Sequence, residues 1–299
     1  MKTPPPSSPL PSRPSPPSSS SPGSPGSPGS PGSLSGTPSA ATPHRPDAFD
    51  GRLRLIEERS AALRSAVRAA PAGAGVPGCP DWTVADLVAH VGATQRFWAA
   101  VVAASPARRP LADREVPRRA PEGDLLEWSA AGTAELVGAL RAAGPGAPCW
   151  TWWAESGTRA TAGAVARQQV REAAVHARDA QGAAGAPEPV PAEVALDALD
   201  EMLHAAFGAM DGWPDSPARV ALVADEGRAW TLILDATGAS AIRGSAGAGR
   251  PEADATVSAP ASDLLLALHR RLPWDEDGAL RVTGEAALVR QLAVWSPLG

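Results

Sequence analysis

Thirty-four of the first 46 residues are Pro, Ser or Gly, and four Ser-Pro-Gly triplets run consecutively from Ser21 to Gly32. A stretch so poor in apolar side chains cannot bury enough surface to offset the entropy of ordering it. Proline favours extended conformations and glycine interrupts them, so residues 1–46 are expected to form a semi-flexible, disordered leader that is dispensable for stability. Whatever folds is therefore confined to the remaining 253 residues of the 299, enough for one large domain or two modest ones. Lysine occurs once, at Lys2, and tyrosine never. This base-composition bias weakens any argument from the helix propensity of alanine, so the helices are read from apolar periodicity instead.

Charge narrows the function classes. Three of the 27 basic residues and none of the 32 acidic ones lie in the leader, so the body carries 24 positive against 32 negative groups. Such a body has no basic stripe for phosphate backbones, and nucleic-acid binding is not expected. No window approaches 18 uninterrupted apolar residues, and Thr3-Pro4-Pro5-Pro6 follows Met1-Lys2 where a secretory signal would carry its apolar run; neither a membrane span nor secretion is expected. Cys79 and Cys149 are too few for a disulfide framework and lack Cys-x-x-Cys spacing. A reduced pair in a cytoplasmic protein is preferred to a single bridge.

Apolar spacing predicts four long helices, over about Phe49–Ala70, Thr83–Ala104, Gly123–Ala143 and Ala162–Gln181, which together make a four-helix bundle. Thr83 and Asp86 form a capping-box-like pair at the start of the second, and Val76–Pro80 before it reads as a turn. A fifth helix, Val194–Phe207, leads to a region of different character. There Arg219–Val223 and Ala229–Leu234 read as a hairpin around Asp225-Glu226-Gly227, Ala253–Val257 and Ala279–Thr283 as further strands, and Ala259–Arg270 and Glu285–Val294 as helices. The fold class is α+β, with residues 47–186 forming the bundle and 187–299 a linker helix and a small α+β domain.

Few residues offer chemistry. Glu172 and His176 stand four apart, so on a helix they share a face and can converge on one cation; pairs at that spacing are also ordinary solvent-face neighbours. His90 follows Asp86 by four residues. Asp86 either orients the ring from behind or merely caps the helix, and His90 is either a ligand or a satisfied core histidine. Trp82 and Trp98 are assigned to the bundle core, and packing is preferred to a pocket-lining role for Trp150, Trp152 and Trp153. His204 reads as a partly buried structural histidine. His269 lies near a helix end, where a cation complements the carbonyl dipole. His44 lies in the leader.

The company of these residues is informative. The run Val76-Pro77-Gly78-Cys79-Pro80-Asp81-Trp82-Thr83-Val84-Ala85-Asp86-Leu87-Val88-Ala89-His90 resembles the N-terminal hallmark of the maleylpyruvate isomerase family of mycothiol-dependent enzymes, a Cys/Pro-x-Trp-Thr-x-x-Asp-Leu-x-x-His pattern. Arg167 to Asp179 resembles the family's second motif, an Arg-rich helix ending in Glu-x-x-x-His-x-x-Asp. Ala253 to Leu266 and Val282-Thr283-Gly284 resemble its C-terminal domain. The resemblance spans about residues 48–298. It implies a DinB-like four-helix bundle holding one divalent metal, usually zinc, through His90, Glu172 and His176, followed by a sterol-carrier-like α+β domain. Many relatives carry His immediately before the metal-binding Glu, where this chain has Arg171.

Two imidazoles and one carboxylate leave a fourth zinc position for an exogenous ligand. A thiol entering it would be deprotonated. The resemblance implies that this low-molecular-weight thiol is mycothiol, used as cofactor or co-substrate. Neither cysteine is expected to replace it, since Cys79 lies before the helix and His90 two turns inside it. The implied reaction is cis–trans isomerisation of a maleylpyruvate-like substrate, or thiol S-transfer to a small electrophile. Arg171, Arg270 and Arg271 are the candidates for holding a substrate carboxylate. The alternative is a non-catalytic sensor module that binds metal and a small molecule.

Overall fold

A computed structural model describes residues 46–116, 121, 123–246, 252–274 and 278–296. The leader lies outside the described residues up to Arg45. Helix α1 runs over Pro46–Ala69, α2 over Val84–Ala103, α3 over Leu125–Ala143 and α4 over Ala162–Ala183. In α1, Phe49, Leu53, Ile56 and Leu63 recur at helical spacing and all turn inward; the helix stops two residues before Pro71, which cannot continue it. Each later start has a side-chain cap: Thr83 for α2, Asp124 for α3 and Thr161 for α4. Helix α1 packs against α3 and α4, and α2 packs against the same two, closing the bundle.

The segment read as a turn before α2 has more structure than expected. Strands β1 (Gly75–Val76) and β2 (Cys79–Thr83) pair antiparallel, Val76 opposite Cys79 and Gly75 opposite Thr83. This ribbon fixes Cys79 and Trp82 ahead of the first turn of α2.

Helix α5 (Ala192–Ala205) leads to a five-stranded sheet of β3 (Ala218–Ala224), β4 (Arg228–Asp235), β5 (Gly238–Ser245), β6 (Ala255–Ala259) and β7 (Arg281–Gly284). Their order is β5-β4-β3-β6-β7, antiparallel except for the β3–β6 pair. The expected hairpin is β3–β4, turning at Gly227 with φ of +95°. Helix α6 (Ala261–Leu268) packs on α5, β3 and β6, and α7 (Ala286–Trp295) on β6 and β7. Bundle and sheet share one apolar core, continuous from Leu53 and Val170 through Leu199 and Met202 to Leu222 and Leu264. A second cluster, including Leu63, Val76, Leu87, Val91 and Ala177, fills the end of the bundle beside β1. The architecture is thus α+β, a helical N-terminal part followed by a sheet-containing C-terminal part. Among the described residues no helix is long and apolar enough to cross a membrane.

Candidate metal centre

His90, on the second turn of α2, and Glu172 and His176, one turn apart on α4, meet between the two helices, His176 buried and the other two half-buried. One ligand atom from each lies within 4.8 Å of the others. Glu172 Oε1 stands 3.3 Å from His90 Nε2 and 3.3 Å from His176 Nε2, so a single carboxylate oxygen bridges both imidazoles. Of the two sequence readings of this pair, the solvent-face one fails, since both Glu172 and His176 turn inward.

Behind this cluster lies a shell that spacing alone did not reveal. His176 Nδ1 donates to Asp179 Oδ2 at 3.0 Å. Arg271, from the turn after α6, grips the same carboxylate through Nε (3.2 Å to Oδ1) and Nη2 (3.0 Å to Oδ2). Its Nη2 also donates to Cys79 Sγ at 3.1 Å, and that thiol stands 4.0 Å from Asp179 Oδ2. Cys79 was expected to lie apart from the three candidate ligands. The β1–β2 ribbon instead carries it against the carboxylate that supports one of them.

The charges follow from these contacts. Burial works to raise the Glu172 pKa, yet hydrogen bonds from His176 and His90 hold it well below the ordinary carboxylate range. Burial works to lower that of His176, but the bonds to Asp179 and Glu172 raise it to about 9. Asp179 is depressed to about 2, its burial outweighed by His176 and Arg271. His176 thus lies between two carboxylates, Glu172 and Asp179. Burial raises the Cys79 pKa; Arg271 opposes this and Asp179 adds to it.

Several expectations are corrected. Trp98 is core as assigned, 3% exposed, but Trp82 is only half-buried. Its ring centroid lies 4.7 Å from that of His90 and 6.2 Å from that of His176, so it walls the cluster. Asp86 caps α2, accepting from Thr83 N at 2.9 Å and Thr83 Oγ1 at 2.6 Å. Trp153 is buried, Trp150 stacks on Trp98, and Trp152 packs edge-on against Trp153, so the Trp-rich loop packs as preferred. His204 donates from Nδ1 to the Asp200 carbonyl at 2.8 Å, a structural role. His269 is no helix-end cation. It is buried, and burial together with Arg171 and Arg271 pushes its pKa well below the ordinary value. Its Nε2 accepts from Arg171 Nη1 at 3.2 Å.

The three arginines considered for a substrate carboxylate are all engaged. Arg171 forms a buried ion pair with Glu201 at 2.6 Å. Arg270 donates to the Val294 and Ser296 carbonyls, and Arg271 serves Asp179. Cys79 and Cys149 are both free thiols.

Residues 53–181 match the family model described as the mycothiol maleylpyruvate isomerase N-terminal domain, and residues 193–291 match the MDMPI C-terminal domain. A comparison with curated proteins returns no match. A crystal structure of the mycothiol-dependent maleylpyruvate isomerase is 18% identical with a TM-score of 0.47. One of its histidine-to-alanine variant is 17% identical with a TM-score of 0.49. Each alignment covers 79% of this chain and 94% of the other. At that distance the likeness transfers no residue role. Matched by both of its domain models in order, the chain belongs to the mycothiol maleylpyruvate isomerase family.

Proposed function

We propose that the protein is a metal-dependent enzyme that uses mycothiol to attack a small electrophile, with cis–trans isomerisation of a maleylpyruvate-like substrate as its reaction. The observation that carries this reading is the convergence of two imidazole Nε2 atoms on one carboxylate oxygen, with a second carboxylate behind His176. The donor set fits a divalent cation of zinc type: two neutral nitrogens and one anionic oxygen, leaving a position for an exogenous ligand. His90, Glu172 and His176 would hold the ion. Bound there, the cation would lower the pKa of a coordinated thiol, and mycothiol so activated can add to a cis-alkene conjugated with a carbonyl, creating a single bond free to rotate before elimination.

The chain's own residues prepare the site. Asp179 accepts the Nδ1 proton of His176, which leaves Nε2 as the coordinating atom and fixes the ring plane. Imidazole and carboxylate bind a cation in their deprotonated forms, so protons compete with the ion and binding should weaken on acidification. Trp82 shields one side of the imidazoles from water. Family membership favours isomerisation, in which the thiol is regenerated, over S-transfer, in which it stays on the product.

Two measurements test the reading. Elemental analysis of the purified protein should give about one zinc per chain, lost in a His90→Ala, His176→Ala double variant. Turnover of a cis-enone acid should require both metal and mycothiol and yield a thiol-free trans product. Stoichiometric metal in the double variant would overturn the assignment of ligands. A thiol-bearing product would make the enzyme an S-transferase. Full metal content without turnover of any thiol-reactive electrophile would favour the sensor module.

A further inference from the structure

Arg271 is distant in sequence from every residue it serves in the bundle. It follows α6 in the C-terminal part, yet its guanidinium reaches α4 and engages both oxygens of Asp179. Two backbone features make that reach possible. Arg270, immediately before it, adopts φ of +58°, the sole positive φ of a non-glycine among the described residues. That conformation is unfavourable for an L-residue with a long side chain and persists only where its surroundings hold it. Here the Arg270 guanidinium does so, tied to the Val294 and Ser296 carbonyls at 2.9 Å each. The second feature is Gly78, in the turn between β1 and β2. A Cβ there would lie 2.8 Å from Asp179 Oδ1 and 2.9 Å from Arg271 Cγ, distances that real Cβ atoms do not tolerate. Only glycine leaves room for the pair.

We infer that Arg271 is a positioning residue through which the C-terminal part sets the metal affinity of the bundle, acting on His176 through Asp179. This rests on the metal-centre reading above. The chain of contacts is short. Arg271 fixes both oxygens of Asp179, Oδ2 of Asp179 fixes Nδ1 of His176, and the ring so fixed aims Nε2 at Glu172. Partners of this kind hold a metal-bound imidazole in one tautomer and one plane, and their loss weakens metal binding roughly ten- to a hundredfold. Without Arg271, Asp179 would rotate freely enough to share its oxygens with Cys79 and water, and His176 would lose its fixed plane. The guanidinium is already divided: one Nη2 serves both Asp179 and Cys79, and Nη1 donates to the His269 carbonyl at 2.6 Å. Its position is thus set by the end of α6 as well as by the bundle.

The test uses the full chain and two metals. Zinc affinity is measured by chelator competition, and the visible spectrum is recorded with saturating cobalt(II), for wild type, Arg271→Gln, Arg271→Lys, Asp179→Asn and His90→Ala. Arg271→Gln and Asp179→Asn should each weaken zinc roughly tenfold or more and change the cobalt ligand-field bands at saturation. Arg271→Lys should recover part of the affinity, since it keeps the charge but not the two-pronged grip. A merely structural arginine would lower the unfolding midpoint of the metal-free protein and leave the saturated cobalt spectrum as in wild type; that result overturns the inference. So does wild-type zinc affinity in Arg271→Gln when His90→Ala has lost it. If Arg271→Gln does not fold, Asp179→Asn decides by the same two readouts. Should wild type bind zinc no better than His90→Ala, the metal-centre reading fails, and this inference with it.

Discussion

Glu172 holds both histidines by one oxygen, and it contributes the single negative charge among the three candidate ligands. Glu172→Gln keeps the shape and removes that charge. It should weaken zinc by more than about a hundredfold, beyond the range of outer-shell substitutions, as measured by chelator competition. Cys79→Ser should leave metal content and turnover near wild type, because a serine hydroxyl can still accept from Arg271. If Cys79→Ser instead abolished turnover with metal content full, the nucleophile would be internal and the mycothiol reading would have to be replaced. The difference between these residues was only partly legible in the sequence. Spacing put Glu172 and His176 on one face, and the family motifs added His90 and spelled out Asp179 without giving it a role. Arg271 stood out only as a candidate for a substrate carboxylate, and its tie to Asp179 could not be found that way. It lies 92 positions from Asp179, on an element whose approach to α4 depends on the packing of α5 and α6, and no local pattern encodes that. Trp82 was assigned only in part for a related reason: it packs against the bundle's second core cluster as expected, but it also faces the two imidazoles. A large aromatic beside a helix start reads as core unless the facing wall is known to carry imidazoles.

At the scale of elements, helices with clear apolar stripes were legible, whereas a strand with almost no β-branched or aromatic residue was not. Strand β5 is the example. Its sequence, Gly238-Ala239-Ser240-Ala241-Ile242-Arg243-Gly244-Ser245, holds a single β-branched aliphatic residue and no aromatic, the types that mark a strand. It forms because β4 offers a full antiparallel partner, from Asp235 opposite Gly238 to Arg228 opposite Ser245, and at the sheet edge little of its surface needs burying. Two helical glycines separate propensity from packing in the same way. Gly138 in α3 is exposed, with nothing within 4 Å of the place an alanine Cβ would take, so Gly138→Ala should stabilise by roughly 0.5–1 kcal/mol. Gly92 in α2 has the same intrinsic preference for alanine, but its Cβ would lie 2.2 Å from the Trp128 ring. Overpacking of about 1–3 kcal/mol outweighs the propensity gain, and Gly92→Ala should be destabilising. Denaturant unfolding of the two variants side by side checks the opposite signs; stabilisation by Gly92→Ala would show that α2 and α3 approach less closely than described.

Across the whole molecule, Asp200 joins the bundle to the sheet. From α5 it accepts hydrogen bonds from Arg167 of α4 (2.8 Å), Trp230 of β4 (3.1 Å) and Arg243 of β5 (2.7 Å from Nη2). Its burial alone would raise its pKa, but the bonds from Arg243, Arg167 and Trp230 prevail and hold it well below the ordinary carboxylate range. The sign of the linkage follows. In the unfolded chain the group titrates at about 3.9 and in the folded protein lower, so its contribution is complete above about pH 4–5 and is lost as the pH falls toward the folded value. Asp179, depressed to about 2, acts in the same direction. The unfolding midpoint should therefore fall steeply on acidification from about pH 5 to about pH 2.5. Asp200→Asn should lower stability at neutral pH by about 1–3 kcal/mol, since Trp230 and Arg167 lose a charged acceptor. Arg243 is largely exposed and Arg167 keeps Asp197 as a partner, so the loss should stay below that of a fully buried pair. The same substitution should also flatten the acid limb, because the asparagine has no proton to take up. Equal slopes in wild type and Asp200→Asn across that acid range would mean that Asp200 does not carry the acid sensitivity of the junction.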